Sequence, residues 1–182
     1  MFLHLLPFCI FLIYHVFNVY MDVSYRITKN YWHLTFLIIG MGYSYVFLEG
    51  IAWYKPLAII GLTLCVGLLL EYFKQSSPGD TKMMIVTALL LSLNLPEQGH
   101  ITIAAAVIVF HLSLVALFAY GKLFKMNGVI KTFKYQISDI KAFFTPGVPI
   151  SKVKIFDYFP GAITISLGSI IYIFLSLTLE LR

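Results

Sequence analysis

The chain has 182 residues, of which 60% are hydrophobic and 12% charged, and its formal net charge is +5. A soluble domain usually carries about one quarter charged residues, so this composition excludes an ordinary water-soluble enzyme or binding domain. It indicates one membrane-embedded domain covering residues 1–182. The positive charge does not indicate nucleic acid, because basic residues also orient membrane proteins.

Apolar runs long enough to cross a bilayer recur along the sequence. Crossing takes about 20 mainly apolar residues, and the backbone must be helical because lipid cannot hydrate its polar groups. The sequence therefore predicts an all-α fold, a polytopic transmembrane helix bundle. The six predicted spans are Phe2–Tyr20, Tyr31–Leu48, Ile51–Phe73, Pro78–Leu95, Ile101–Tyr120 and Phe159–Leu179. Only Glu49 and Gly50 form the turn between the second and third, which we expect to make a tight antiparallel hairpin.

Two cysteines, Cys9 and Cys65, lie inside apolar runs of the sequence. We expect both to be small side chains buried in the bundle. The chain contains no C-x-x-C pair and no H-E-x-x-H arrangement, which disfavours a metal site and a metalloprotease. We assign no cofactor to the chain.

Basic residues cluster in the loops after the first, third and fifth predicted spans. Such loops tend to stay on the cytoplasmic side of a membrane. These loops hold most of the 13 lysines and arginines, whereas Lys55 and Arg182 lie elsewhere. The pattern predicts a multi-pass protein of the cell membrane, with these three loops inside the cell and both termini outside.

The longest predicted loop, Gly121–Tyr158, contains an amphipathic segment. Its apolar residues recur at helical spacing, while its lysines lie away from that stripe. The stripe consists of Ile130, Phe133, Ile137, Ile140 and Phe144. We expect a basic amphipathic helix on the cytoplasmic membrane face, attracted to anionic lipid, with substrate docking as the alternative role. The segment Thr145–Pro149 then breaks this helix and turns the chain back.

Two aspartates occupy the predicted cytoplasmic boundary of the membrane. Asp22 ends the first span and Asp80 begins the fourth. A carboxylate at this depth usually faces the bundle or a watery cavity, because exposure to lipid is costly. Two carboxylates that approach closely share one proton, so that one activates water and the other protonates a scissile carbonyl. The pattern therefore predicts an aspartyl protease pair.

Each aspartate also has a purely structural interpretation. Ser77 and Asp80 have the spacing of a capping box, and a carboxylate there suits the helix dipole. Asp22 is spaced to pair with Arg26 one helical turn later. Gly79 lacks a side chain and is expected to let a substrate backbone come close.

Three segments resemble those of the type IV prepilin and preflagellin peptidases. Asp22–Asn30 resembles the family signature D-x-x-x-R-x-x-P-N, with Lys29 in the position of the proline. Ser77–Lys82 is similar to the motif G-x-G-D-x-K, with Ser77 in place of the first glycine. Phe159–Gly168 is similar to the proline-and-glycine pattern of the family's last helix.

The resemblance implies a bacterial or archaeal membrane endopeptidase with Asp22 and Asp80 as catalytic residues. Its partners would be prepilin-like or preflagellin-like precursors, which lose a short basic leader at the cytoplasmic membrane face. Larger family members add a cysteine-containing segment that methylates the new N-terminus. This chain has two cysteines and resembles the short, peptidase-only form.

Further polar residues of these segments receive supporting roles. Arg26 and Asn30 are interpreted as loop-organising residues, because arginine binds carboxylates and asparagine caps helices. Lys82 either holds the neighbouring aspartate ionised, contacts carbonyls of another helix, or reaches to the interface. Glu71 and Asp157 are acids near the cytoplasmic face, and we hypothesise that they contact lysines of the leader.

Two other classes of function fit the same acids. A small proton- or cation-coupled transporter component would use Asp22 and Asp80 as a binding site within the membrane. A noncatalytic assembly factor of a pilus or secretion system is favoured by the departures at Lys29 and Ser77. Cleavage of a precursor by the purified protein distinguishes the peptidase from both.

Overall fold

The structure is a computed structural model that describes residues 2–47, 52–73, 76–143, 145 and 161–180. Every regular element within these residues is helical, which confirms the all-α prediction. The helices are α1 (Phe2–Tyr25), α2 (Asn30–Phe47), α3 (Lys55–Tyr72), α4 (Pro78–Asn94), α5 (His100–Val115), α6 (Gly121–Asn127), α7 (Val129–Phe143) and α8 (Gly161–Glu180), with a π-helical turn (Ala116–Tyr120) between α5 and α6.

Four helical segments are long and apolar enough to cross a membrane. Within the described residues they are Leu5–Tyr25, Lys55–Tyr72, His100–Asn127 and Gly161–Leu179. They mark the chain as a membrane protein and confirm the first, third, fifth and sixth predicted spans as candidates. The other two predicted spans form the helices α2 and α4, of 18 and 17 residues, which are not among these four candidates.

Helix α4 lies at the centre of the bundle. It packs against α1, α2, α3, α5 and α8, and most side chains from Thr81 to Leu93 are buried. Because neighbours enclose it, its sequence lacks the one-sided apolar stripe of a surface helix. Both of its ends are therefore positioned by several other helices at once.

Glycines allow two helices to approach α4 closely. A Cβ atom at Gly40 of α2 would lie 2.8 Å from Leu89, and one at Gly67 of α3 would overlap the side chain of Thr81. Small residues at such crossings bring helix backbones together, which is the usual basis of helix packing in membranes. The Gly67 contact thus holds the first turn of α4 against α3, and the Gly40 contact holds its second half against α2.

The predicted tight hairpin of the second and third spans is not seen as a closely packed helix pair. Among the described residues, α2 and α3 each pack extensively against α4 and far less against each other. The turn at Glu49 and Gly50 lies outside the described residues. A short connection in the chain therefore does not guarantee that its helices are neighbours along their length.

The cysteines also differ from expectation. Cys9 on α1 and Cys65 on α3 are exposed rather than buried, and both are free thiols. An apolar neighbourhood in a membrane helix includes side chains that face lipid as well as those that face the core. Burial within the bundle cannot be inferred from an apolar run alone.

The fifth helical segment is longer than predicted. It continues beyond Tyr120 to Asn127, so the first residues of the predicted loop are helical. Gly128 then adopts φ 76° and ψ 156°, a conformation that glycine alone adopts readily. This residue separates α6 from α7.

Helix α7 matches the predicted amphipathic helix. Ile130, Phe133 and Ile137 are exposed on it, while the Phe133 ring lies 5.8 Å from that of Phe124 on α6. Phe144 and the break at Pro146–Pro149 lie outside the described residues. The exposed apolar stripe agrees with a helix that rests on a membrane surface.

Candidate active site

Asp22 lies on the last turn of α1, which extends beyond its predicted end at Tyr20. The following Arg26 has φ 55°, and its N–H donates to the Asp22 backbone carbonyl at 3.1 Å. A residue with a Cβ adopts this left-handed conformation at a cost of about 1–2 kcal/mol. Arg26 therefore ends α1 through its backbone, as a glycine usually does, and has the loop-organising position expected of it.

Asp80 lies in the first turn of α4 and forms the capping box. Its Oδ2 accepts from the Ser77 N–H at 3.0 Å and from the Ser77 hydroxyl at 2.8 Å, while the Ser77 Oγ accepts from the Asp80 N–H at 3.2 Å. The structural interpretation of Asp80 is thus confirmed. The capping box uses Oδ2 of Asp80, so Oδ1 is left outside it, and the box fixes the direction in which Oδ1 points.

The two carboxylates meet at the N-terminus of α8. The Ala162 N–H donates to Oδ2 of Asp22 at 3.1 Å. The preceding Gly161 lies so close to Asp80 that a Cβ there would overlap the Asp80 carboxylate at Oδ1. The structure therefore brings together two acids that are separated by 58 positions in the sequence, 80 − 22.

Electrostatics at this point disfavour two ionised carboxylates. Asp22 and Asp80 are close enough to repel each other, and both are only half-exposed. Two like charges in a partly desolvated place cannot both ionise freely. The backbone N–H groups at the start of a helix stabilise one negative charge, so the site suits one ionised and one protonated carboxyl.

A third acid lies beside the pair. Glu71, near the end of α3, is close enough to Asp80 for the two carboxylates to repel. This places Glu71 at the rim of the same site, as the leader-contact hypothesis requires. Asp157, the other residue of that hypothesis, lies outside the described residues.

Lys82 does not serve the pair directly. Its Nζ donates to the Oδ1 of Asn30 at 2.8 Å, linking α4 to the first residue of α2. This contact with a neutral side-chain amide was not among the expected roles, while the exposed position of Lys82 is compatible with reaching to the interface. Asn30 thus has an organising role, because it connects the loop after α1 to α4.

Gly79 is also required for a reason other than the one expected. A Cβ at Gly79 would lie 2.6 Å from the Thr28 hydroxyl oxygen, so the loop after α1 occupies the space beside it. The glycine thus lets the segments that carry the two aspartates pack together. The close approach of a substrate backbone to Gly79 stays a prediction.

Buried hydrogen bonds that sequence reasoning missed hold α8 in place. His15 Nδ1 lies 2.7 Å from the Ser166 hydroxyl, and His111 Nδ1 lies 2.9 Å from the Thr164 hydroxyl. Thr164 in turn donates to the carbonyl of Gly161 at 2.8 Å. A histidine inside a predicted span was a usable signal, because a polar group there needs a partner on another helix.

The described residues contain no group of three histidine, cysteine, aspartate or glutamate side chains able to hold a metal ion. Comparison of the chain with protein-family models, with curated proteins and with solved structures found no match.

Proposed function

We propose that this chain is a membrane aspartyl endopeptidase that removes the leader peptide of type IV pilin-like precursors. One observation carries the proposal: Asp22 and Asp80 converge on adjacent residues, Ala162 and Gly161, at the N-terminus of α8. Two carboxylates from distant segments are what water activation at a peptide bond requires. The resemblance of Asp22–Asn30 and Ser77–Lys82 to the prepilin peptidase motifs gives the substrate class.

The proposed reaction requires that one of the two carboxyl groups is protonated and the other ionised. The ionised carboxylate removes a proton from water as the water oxygen bonds to the scissile carbonyl carbon. The protonated carboxyl donates its proton to the carbonyl oxygen. When the C–N bond breaks, the leaving nitrogen takes the proton that the first acid gained from water, and a hydroxyl of the tetrahedral intermediate returns its proton to the second acid as the C=O bond re-forms, which restores the starting state. The α8 N-terminus stabilises the negative charge throughout.

In the proposed topology all six predicted spans cross the cell membrane of a bacterium or archaeon. The first turn of α4 and the last turn of α1 then lie at the cytoplasmic face, together with the basic helix α7. A precursor whose leader is basic and whose next segment is apolar would present its cleavage site at this depth. Glu71 and Asp157 are proposed to hold lysines of the leader.

The test uses purified protein and a precursor encoded beside it or in the same genome. Asp22→Asn and Asp80→Asn are each expected to lower kcat by about 10²- to 10⁴-fold, because each removes one proton-transfer group. Glu97→Gln is the matched control, since it neutralises an exposed acid just beyond the other end of α4. Mass spectrometry of the products locates the cut.

The outcomes separate the functions considered. Loss of cleavage in both aspartate variants, with the control active, supports the peptidase. If the wild type does not cut a precursor known to be cognate, the proposal is wrong. Proton or cation flux into liposomes that depends on Asp22 and Asp80 would then favour a transporter component, and precursor binding without either activity would favour an assembly factor.

A further inference from the structure

A cavity of about 360 Å³ opens between α2 and α4, away from the two aspartates. We call it the α2–α4 cavity. Lys82 follows Asp80 by two residues, which places it about 160° around the helix from it. The lining includes Asn30, His33 and Lys82 together with Leu34, Leu37 and Ile85.

At the polar end of the α2–α4 cavity, the positively charged Lys82 has a neutral hydrogen-bond partner. The Lys82 ammonium donates to the Asn30 amide oxygen at 2.8 Å. Within the described ranges no carboxylate lies within salt-bridge distance of Lys82. An ammonium has three N–H donors, so at least two remain for an anionic group.

His33 borders the cavity with unused hydrogen-bonding capacity. It is 4% exposed, and its Nδ1 lies 2.7 Å from the Tyr14 hydroxyl oxygen. Its Nε2 is buried without a hydrogen-bond partner in the protein. A buried imidazole nitrogen normally has a partner, and a hydrogen-bonding ligand in the cavity would supply one after a small adjustment of the side chain.

The rest of the lining is apolar and open to the outside of the bundle. Leu34 is 57% exposed, while Leu37 and Ile85 are half-buried. In a membrane such a surface faces acyl chains. The α2–α4 cavity therefore combines a cationic end with an apolar wall, which matches an amphiphile with a negative head and a hydrocarbon tail.

We propose that the α2–α4 cavity binds one anionic phospholipid, with its phosphate on Lys82 and one acyl chain along Leu34 and Leu37. This site differs from the general attraction of the basic helix α7 to anionic membranes, which needs no cavity. The positive charge of Lys82 selects an anionic headgroup, and the shape of the apolar wall accommodates the acyl chain. The inference does not depend on the peptidase activity.

Native mass spectrometry of the detergent-solubilised full chain tests the site. Phosphatidylglycerol and phosphatidylcholine with identical chains are titrated separately. Both lipids carry a phosphate, but the cationic choline of phosphatidylcholine offsets its attraction to Lys82, so we expect wild-type protein to bind the first phosphatidylglycerol about tenfold more tightly. Lys82→Gln is expected to reduce phosphatidylglycerol binding to the phosphatidylcholine level.

Two controls separate this site from its alternatives. Lys125→Gln removes an exposed charge on α6 and should retain the tenfold preference; equal loss in both lysine variants would show diffuse attraction and overturn the proposal. Leu37→Trp fills the apolar wall and should weaken both lipids. Unchanged lipid binding in Lys82→Gln, or displacement of the lipid by millimolar inorganic phosphate, would also overturn it, the latter by revealing a site for free anions.

Discussion

The two sides of the first turns of α4 have opposite chemistry. On one side Asp80 faces Gly161 at the start of α8, where the Ala162 N–H donates to the second acid, Asp22. On the other side Lys82 faces α2 and donates to Asn30, beside an apolar cavity. Residues two positions apart in one short motif therefore belong to different environments, because a helix turns by about 100° per residue.

On the Asp80 side of α4, the largest effect on cleavage is expected from changing Gly161, the residue that Asp80 faces. Gly161→Ala would place a methyl group inside the Asp80 carboxylate, so either α8 or the carboxylate must move. We expect kcat for precursor cleavage to fall about hundredfold, the usual effect of displacing a catalytic group by roughly 1 Å. Single-turnover cleavage measures this change.

Gly42→Ala is the matched control for that variant. A Cβ at Gly42 meets nothing within 4 Å, so this change adds the same methyl group to a helix without a clash. It should leave cleavage within about twofold, with equal or slightly higher helix stability. Equal activity of the two variants would show that the Asp80–Gly161 contact does not matter for the reaction.

A smaller effect on the same side is expected from the capping box. Ser77→Ala removes the hydroxyl that binds Asp80, which should cost about 1 kcal/mol of stability. Asp80 then loses one of the hydrogen bonds that orient it, and we expect cleavage to fall about fivefold. Ser77→Thr keeps the hydroxyl and should restore both quantities, as thermal unfolding in detergent and initial cleavage rates would show.

The Lys82 side should affect stability more than catalysis. Asn30→Ala leaves the exposed ammonium without its amide partner and should cost about 0.5 kcal/mol of stability. Cleavage should fall less than about threefold, because the bond lies on the side of α4 away from the pair. Asn30→Asp keeps an acceptor oxygen and should preserve stability. A loss of cleavage as large as in Gly161→Ala would show that the two sides of α4 act as one site.

Much of this fold follows from the length and composition of apolar segments. The helices began within a few residues of their predicted positions, because the bilayer allows few other backbone structures. Packing partners were not predictable in the same way. The apolar surroundings of Cys9 and Cys65 give no measure of burial, since lipid-facing and core-facing residues are both apolar.

The candidate site was also predictable only in part. Asp22 and Asp80 stood out because acids are rare in the sequence and these two share a predicted depth. Their meeting at Gly161 depends on how α8 packs, which no local pattern encodes. The hydroxyl partners of His15 and His111 on α8 were hidden for the same reason, because serine and threonine are common in membrane helices.

The π-helical turn at Ala116–Tyr120 affects the register of the residues that follow it. Val115 and Leu123 are both buried and pack in one small cluster, although eight positions separate them, 123 − 115. In an uninterrupted α-helix that separation leaves two side chains about 80° apart, whereas a bulge that absorbs one residue reduces the angle to about 20°. Removing a single residue from 116–120 should therefore restore a regular α-helix and keep Leu123 buried beside Val115. Removing one residue just after the π-helical turn should instead rotate Leu123 and the rest of α6 away from that cluster.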